Sequence, residues 1–219
     1  VRQPDTGAGR EVDTDGAMTG SERRAGEGSA RRSRPSLSER IANGELSDAE
    51  LGERAREAVL RSLTAAPKSR SELAQSLARK GYPEHVVVPL LDRLEDVGLV
   101  DDAAYAEMLV RTRHGERGLA RRAIAMELRR RGLDAEISAA ALEQVDDDSE
   151  ADAARDLARA RLRRTVGLDR DVRIRRVVGA LARKGYPPGL AFELVNRELE
   201  RELERELERE SDVGGPAET

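Results

Sequence analysis

With 219 residues the chain is long enough for one large or two small domains, and its makeup narrows what they are. Aromatic residues are 2% of the total and charged residues 37%, so a core must come from Leu, Val, Ile and Ala, which suits packed helices and not a sheet. The absence of cysteine excludes disulfides and thiolate metal sites, and no apolar run approaches the roughly 20 residues of a membrane span. The N-terminus also lacks the apolar stretch of a secretory leader, so the expectation is a cytoplasmic protein without a membrane partner.

Residues 1–46 are rich in Gly, Ser, Arg and Asp without a hydrophobic period, and read as a disordered arm. Order is expected from Ser47-Asp48-Ala49-Glu50, a capping-box pattern that opens a helix through Leu51, Ala55, Val59 and Leu63. Pro67 ends it, and Ser71 reads as the cap of a second helix carrying Leu73, Ala74 and Leu77. A third helix runs through Val86, Leu90, Leu91, Leu94 and Val97 to Gly98, with Pro89 inside it at a local cost.

The same three-helix sentence then recurs. Asp101-Asp102 opens a helix through Tyr105, Leu109 and Val110, a second runs from about Leu119 to Gly132, and Asp134 caps a third through Ile137, Ala141, Leu142 and Val145. After Asp146-Asp147-Asp148 come helices marked by Ala153, Leu157 and Leu162, by Val177, Val178 and Leu181, and by Leu190, Leu194 and Val195. The last stretch repeats Arg-Glu-Leu-Glu three times from Arg197 to Glu208. It reads as a solvated helix, with Leu199, Leu203 and Leu207 in a stripe too narrow for a core.

A heptapeptide punctuates these units. Leu77-Ala78-Arg79-Lys80-Gly81-Tyr82-Pro83 returns letter for letter as Leu181 to Pro187, with a weaker copy at Leu128 to Leu133, and the glycines are spaced by 51 and 53 residues. If each glycine is the left-handed residue just past a helix, the leucine four places earlier meets the residue after the glycine in a Schellman stop. The motif is therefore a corner. The fold expected is all-α: three tandem three-helix repeats (47–100, 101–147 and 148–199) forming an elongated, curved body, followed by a charged helical extension over 200–219.

No catalytic, cofactor or metal site is expected. His85 and His114 share no ligand spacing, the glycines at 7–9 lack the lysine of a phosphate loop, and Asp101-Asp102 stands where a helix N-terminus needs carboxylates. The net charge of −4 conceals strong local fields, because cations crowd residues 111–131 and 155–184. Candidates for an anionic partner are Arg111, Arg113, Arg121, Arg122, Arg129, Arg130 and Arg131. Arg79, Lys80, Arg183 and Lys184 extend the set along the repeats; for each of them the plain alternative is a solvated helix face.

With three tandem units in hand, the chain resembles the RecX family, the bacterial regulators of RecA recombinase, and in particular its actinobacterial members. The resemblance runs from about Ala55 to Leu199. Its most specific part is Gly98-Leu99-Val100-Asp101-Asp102-Ala103-Ala104-Tyr105-Ala106, and Ser71-Glu72-Leu73 and Glu127-Leu128 with Gly132 add to it. It implies a non-enzymatic protein lying in the groove of the RecA–DNA filament, where it inhibits ATP hydrolysis and strand exchange and damps the SOS response; a monomer is expected. The alternative is a helical-repeat protein that binds DNA directly and weakly through phosphate contacts. The few aromatics, Tyr82, Tyr105, Tyr186 and Phe192, support no base-stacking platform.

Overall fold

Every regular element of the computed structural model, which describes residues 35–213, is helical. Helix α1 (Leu37–Ala42) precedes a first bundle of α2 (Asp48–Ala65), α3 (Arg70–Arg79) and α4 (Glu84–Asp96). The second bundle comprises α5 (Asp102–Arg111), which runs into a π-turn over Thr112–Glu116, then α6 (Arg121–Arg130) and α7 (Ala135–Leu142). The third has α8 (Asp147–Leu162), a 3-10 turn at Arg163–Thr165, α9 (Arg170–Arg183) and α10 (Pro188–Val213).

Each bundle closes over its own aliphatic core. Leu51, Val59, Leu73, Leu77 and Leu91 fill the first, Leu109, Val110, Ile124, Leu128 and Val145 the second, and Leu162, Val177, Leu181 and Val195 the third. Each fully buried aliphatic side chain contributes about 2 kcal/mol, so a core of this size offsets the entropy of a unit of about 50 residues only with help from its neighbours.

The repeated glycines end the second helix of each bundle. The N–H of Tyr82, Leu133 and Tyr186 reaches the carbonyl of Leu77, Leu128 and Leu181 at 3.2 Å in all three copies. Gly81, Gly132 and Gly185 sit at φ of 86°, 72° and 96°, and the residue after each is buried. Ser47 caps α2 through a capping box with Glu50, Asp101 caps α5 and Asp134 caps α7, as the spacing predicts.

Three local expectations need correction. The cap of α3 is Ser69, not Ser71: Ser69 and Glu72 exchange the reciprocal capping-box bonds, and Ser71 lies in the first turn. The expected arm falls outside the described residues over 1–34, but over 35–46 the chain folds against the first bundle. Ser36 and Glu39 form a capping box that starts α1, Leu37 and Ile41 pack against the first core, and Leu46 is buried within it. The third concerns Leu199 alone: the charged extension is helical as expected, α10 running unbroken from Pro188 to Val213 with Leu203 and Leu207 exposed, but Leu199 is buried in the third core. Pro89 lies on the exposed side of α4, and the helix continues through it.

Candidate interface: the repeat corners and the arginine faces

The corners do more than end helices. The carbonyl of Arg131, just before Gly132, accepts a hydrogen bond from Ser69 Oγ at 2.7 Å, and the carbonyl of Lys184, just before Gly185, accepts one from the Ala120 N–H at 2.9 Å. A Cβ on Gly185 would lie 2.5 Å from Ala123 Cβ, and one on Gly132 would run into the side chain of Ser71. Glycine is thus required twice, for its positive φ and for the close approach of the preceding repeat. The corner of repeat 2 seats on the start of α3 and the corner of repeat 3 on the start of α6. Second helices of successive repeats therefore meet end to start.

A second layer reinforces each joint. The first N–H groups of a helix have no intrahelical acceptor, and here the next repeat supplies one. Asp102 Oδ1 accepts the Arg70 N–H at 2.8 Å, and Glu150 Oε1 accepts the Arg121 N–H at 2.8 Å. The two aspartates of the Asp101-Asp102 pair accordingly divide the work: Asp101 caps its own helix, and Asp102 caps a helix of the preceding repeat. Burial pushes the Asp102 carboxyl up, against the lowering effect of the Arg70 N–H. Asp102→Ala should cost about 1.5 kcal/mol in a urea melt and raise amide exchange at the start of α3, 32 residues away in sequence. If the faster exchange were confined to α5, the cross-repeat role would be refuted.

An ion network locks the joint between repeats 1 and 2. Arg113 donates twice to Glu127, both bonds at 2.8 Å, and Arg131 donates to the same carboxylate at 2.9 Å and to Glu72 at 3.0 Å. The Tyr105 hydroxyl donates to Glu72 at 3.2 Å and accepts from Arg131 at 2.6 Å. The bonds from Arg113 are the main reason that the Glu127 carboxyl is held down at about 2, in spite of its burial. Two of the arginines taken as candidates for a partner, Arg113 and Arg131, are thus engaged inside the protein. Lys184 is a third, its Nζ donating to the Arg117 carbonyl at 2.6 Å.

The remaining eight candidates, Arg79, Lys80, Arg111, Arg121, Arg122, Arg129, Arg130 and Arg183, are exposed and form no ion pair among the described residues. On α6, Arg122, Arg129 and Arg130 surround Met126, which is 63% exposed. Repeat 3 presents a related basic face on α9, with Gly179 at the position of Met126 and Ala182 at that of Arg129. Arg175 precedes Gly185 by the ten residues that separate Arg122 from Gly132, and it is exposed together with Arg176 and Arg183. Neither Arg175 nor Arg176 is among the candidates drawn from the sequence, although counting ten back from Gly185, as from Gly132 to Arg122, points to Arg175. Among the described residues no helix is long and apolar enough to cross a membrane, and no group of three His, Asp or Glu side chains is arranged to hold a metal ion.

This architecture, three helical bundles joined through glycine corners with arginine-rich second helices facing outward, defines a tandem three-helix repeat protein. Family profiles described as the first, second and third three-helix domains of RecX match residues 55–94, 101–142 and 148–195. The chain is 47% identical over 148 residues to the regulatory protein RecX of Streptomyces coelicolor, covering 68% of this chain and 79% of that one. It is also 47% identical over 157 residues to that of Thermobifida fusca, covering 72% and 85%. A crystal structure of a regulatory protein RecX superposes with a TM-score of 0.58 at 27% identity, over 68% of this chain and 73% of that one. RecX from Lactobacillus salivarius, at 21% identity, shares the fold with a TM-score of 0.59 over 68% and 97%. The chain belongs to the RecX family of regulatory proteins.

Proposed function

We propose that the protein regulates RecA in the cytoplasm, mainly as an inhibitor, by lying as a monomer in the groove of the RecA–DNA filament and suppressing ATP hydrolysis and strand exchange. Through the filament it would modulate DNA repair and damp the SOS response. The observation that supports this reading best is the outer face of α6, where Arg122, Arg129 and Arg130 are exposed around Met126 with no counter-ion among the described residues. Guanidinium groups on a rigid helix are arranged to pair with carboxylate or phosphate outside the chain, and an exposed methionine among them adds apolar contact. Arg175, Arg176 and Arg183 on α9 supply a second, related basic face.

The test is a titration of the DNA-dependent ATPase of RecA with native protein and with Arg122→Glu/Arg129→Glu/Arg130→Glu. The triple variant should need at least tenfold more protein for half-inhibition while its thermal melt is unchanged, as expected for lost charge complementarity at a surface. Unchanged inhibition would remove this face from the site. Adding protein before and after filament assembly separates capping of growing filaments from disruption of formed ones. Direct DNA binding through the same arginines is the second reading. Tyr82, Tyr105 and Tyr186 are buried and Phe192 is a lone exposed ring among the described residues, not a stacking platform, so that contact would rest on phosphates and fall steeply with salt. DNA retention at physiological salt with no effect on RecA would favour it.

A further inference from the structure

The heptapeptides of repeats 1 and 3 are identical, yet they are used differently. In repeat 3 three polar groups of the corner bind the segment that starts α6. The Lys184 carbonyl takes the Ala120 N–H at 2.9 Å, Lys184 Nζ donates to the Arg117 carbonyl at 2.6 Å, and the Tyr186 hydroxyl donates to the Gly118 carbonyl at 3.3 Å. In repeat 1 only the first bond has a counterpart, from Ser38 Oγ of α1 to the Lys80 carbonyl at 3.3 Å. The Lys80 ammonium and the Tyr82 hydroxyl have no hydrogen-bond partner among the described residues. The approach is looser as well: a Cβ on Gly81 would stop 4.0 Å from Ser38 Cα, against 2.5 Å between one on Gly185 and Ala123 Cβ. Helix α1 has six residues, none of them buried, and helices this short do not hold on their own.

We infer that the corner of repeat 1, with Lys80, Gly81 and Tyr82, is an interaction surface for the first turn of a helix from a partner protein, and that α1 is its displaceable cover. The partner helix carries Ser or Ala in that turn and has two accessible carbonyls just before it, the chemistry that the identical heptapeptide meets at Arg117 to Ala123. A second copy of this chain is a poor occupant. Its α9 start is the one second-helix start with no following repeat, and, counted from the first helical residue, it carries Asp171 where α3 has the small Ser71 and Val172 where α6 has Ala123.

The test uses the full chain with α1 loosened by Leu37→Asp/Ile41→Asp, and a fluorescent synthetic peptide of residues 116–130 as the probe. A milder variant, Ser36→Ala/Glu39→Ala, removes only the capping box of α1 and guards against damage to the first core. Anisotropy titration should show both variants binding the peptide at least tenfold more tightly than the native chain. Lys80→Ala or Tyr82→Phe in either background should weaken binding by about twofold to tenfold, the range for one hydrogen bond. A peptide with Ala120→Leu and Ala123→Leu should not bind. Equal binding by native and loosened chains, or equal binding of the two peptides, would overturn the proposal. Dimers of the loosened chain in sedimentation would also overturn it, in favour of self-assembly.

Discussion

Gly185→Ala should destabilise the protein by about 3 kcal/mol, whereas Gly98→Ala should cost about 1 kcal/mol, although both glycines have positive φ. Left-handed backbone alone penalises an L-residue by about 1 kcal/mol, and Gly98, at φ 69° with nothing within 4 Å of an added Cβ, carries only that cost. Gly185 adds overpacking, because its Cβ would stand 2.5 Å from Ala123 Cβ and 3.2 Å from the Ala123 backbone nitrogen, which no rotamer change relieves. For a chain of this size the two variants should melt about 6–12 °C and about 2–4 °C below native. Because stability in a repeat array is a sum of unit and nearest-neighbour terms, the Gly185 variant should also lose amide protection mainly in α8 to α10 and around α6, and keep it in α2 to α4. Equal melting points for the two variants would show that the corner needs glycine for its turn alone. That result would remove the close approach from the account of how repeats join.

What could be read in the sequence was what is local. The positive-φ glycines, the leucine before each, and the caps at Ser47, Asp101 and Asp134 act within a few residues, so the chain displays them directly. Even the miscast cap was legible: Ser69 stands three before Glu72, the capping-box spacing, and Ser71 does not. Helix α1 carries the same spacing in Ser36 and Glu39 but was hidden by the Gly-rich composition around it. The contacts between repeats were out of reach in principle. Asp102 caps a helix 32 residues upstream, and Arg131 meets Glu72 across 59 residues. An arginine in a network and an arginine facing solvent read alike in a sequence. Arg113 and Arg131 could therefore not be told from Arg129 and Arg130 until the fold placed Glu127 and Glu72 beside them.

That network sets the second large effect, the response to Glu127→Gln. The Glu127 side chain is 11% exposed and holds Arg113 and Arg131, which are 15% and 26% exposed, so the amide isostere leaves one carboxylate fewer for two partly buried cations. Arg131 keeps Glu72, and Arg113 is the group left without its ion pair. The shift of the carboxyl from 4.5 to about 2 corresponds to roughly 3 kcal/mol at neutral pH, and screening on the solvent side of the network reduces the expected loss to about 2 kcal/mol. The sign follows from linkage. A carboxyl held lower in the folded than in the unfolded chain stabilises fully above its unfolded value and loses that contribution as pH falls toward its folded value. The gap between native and Glu127→Gln stability should therefore be widest above pH 4.5 and close between about 4.5 and about 2. Urea melts of the two proteins at intervals from pH 7 to pH 2.5 measure this directly. A gap that stayed constant through the acid range would mean that Glu127 acts through packing and not through charge. Arg113→Met in both backgrounds completes the cycle: if the pair is the source, the second substitution should cost much less once Glu127 is already neutral.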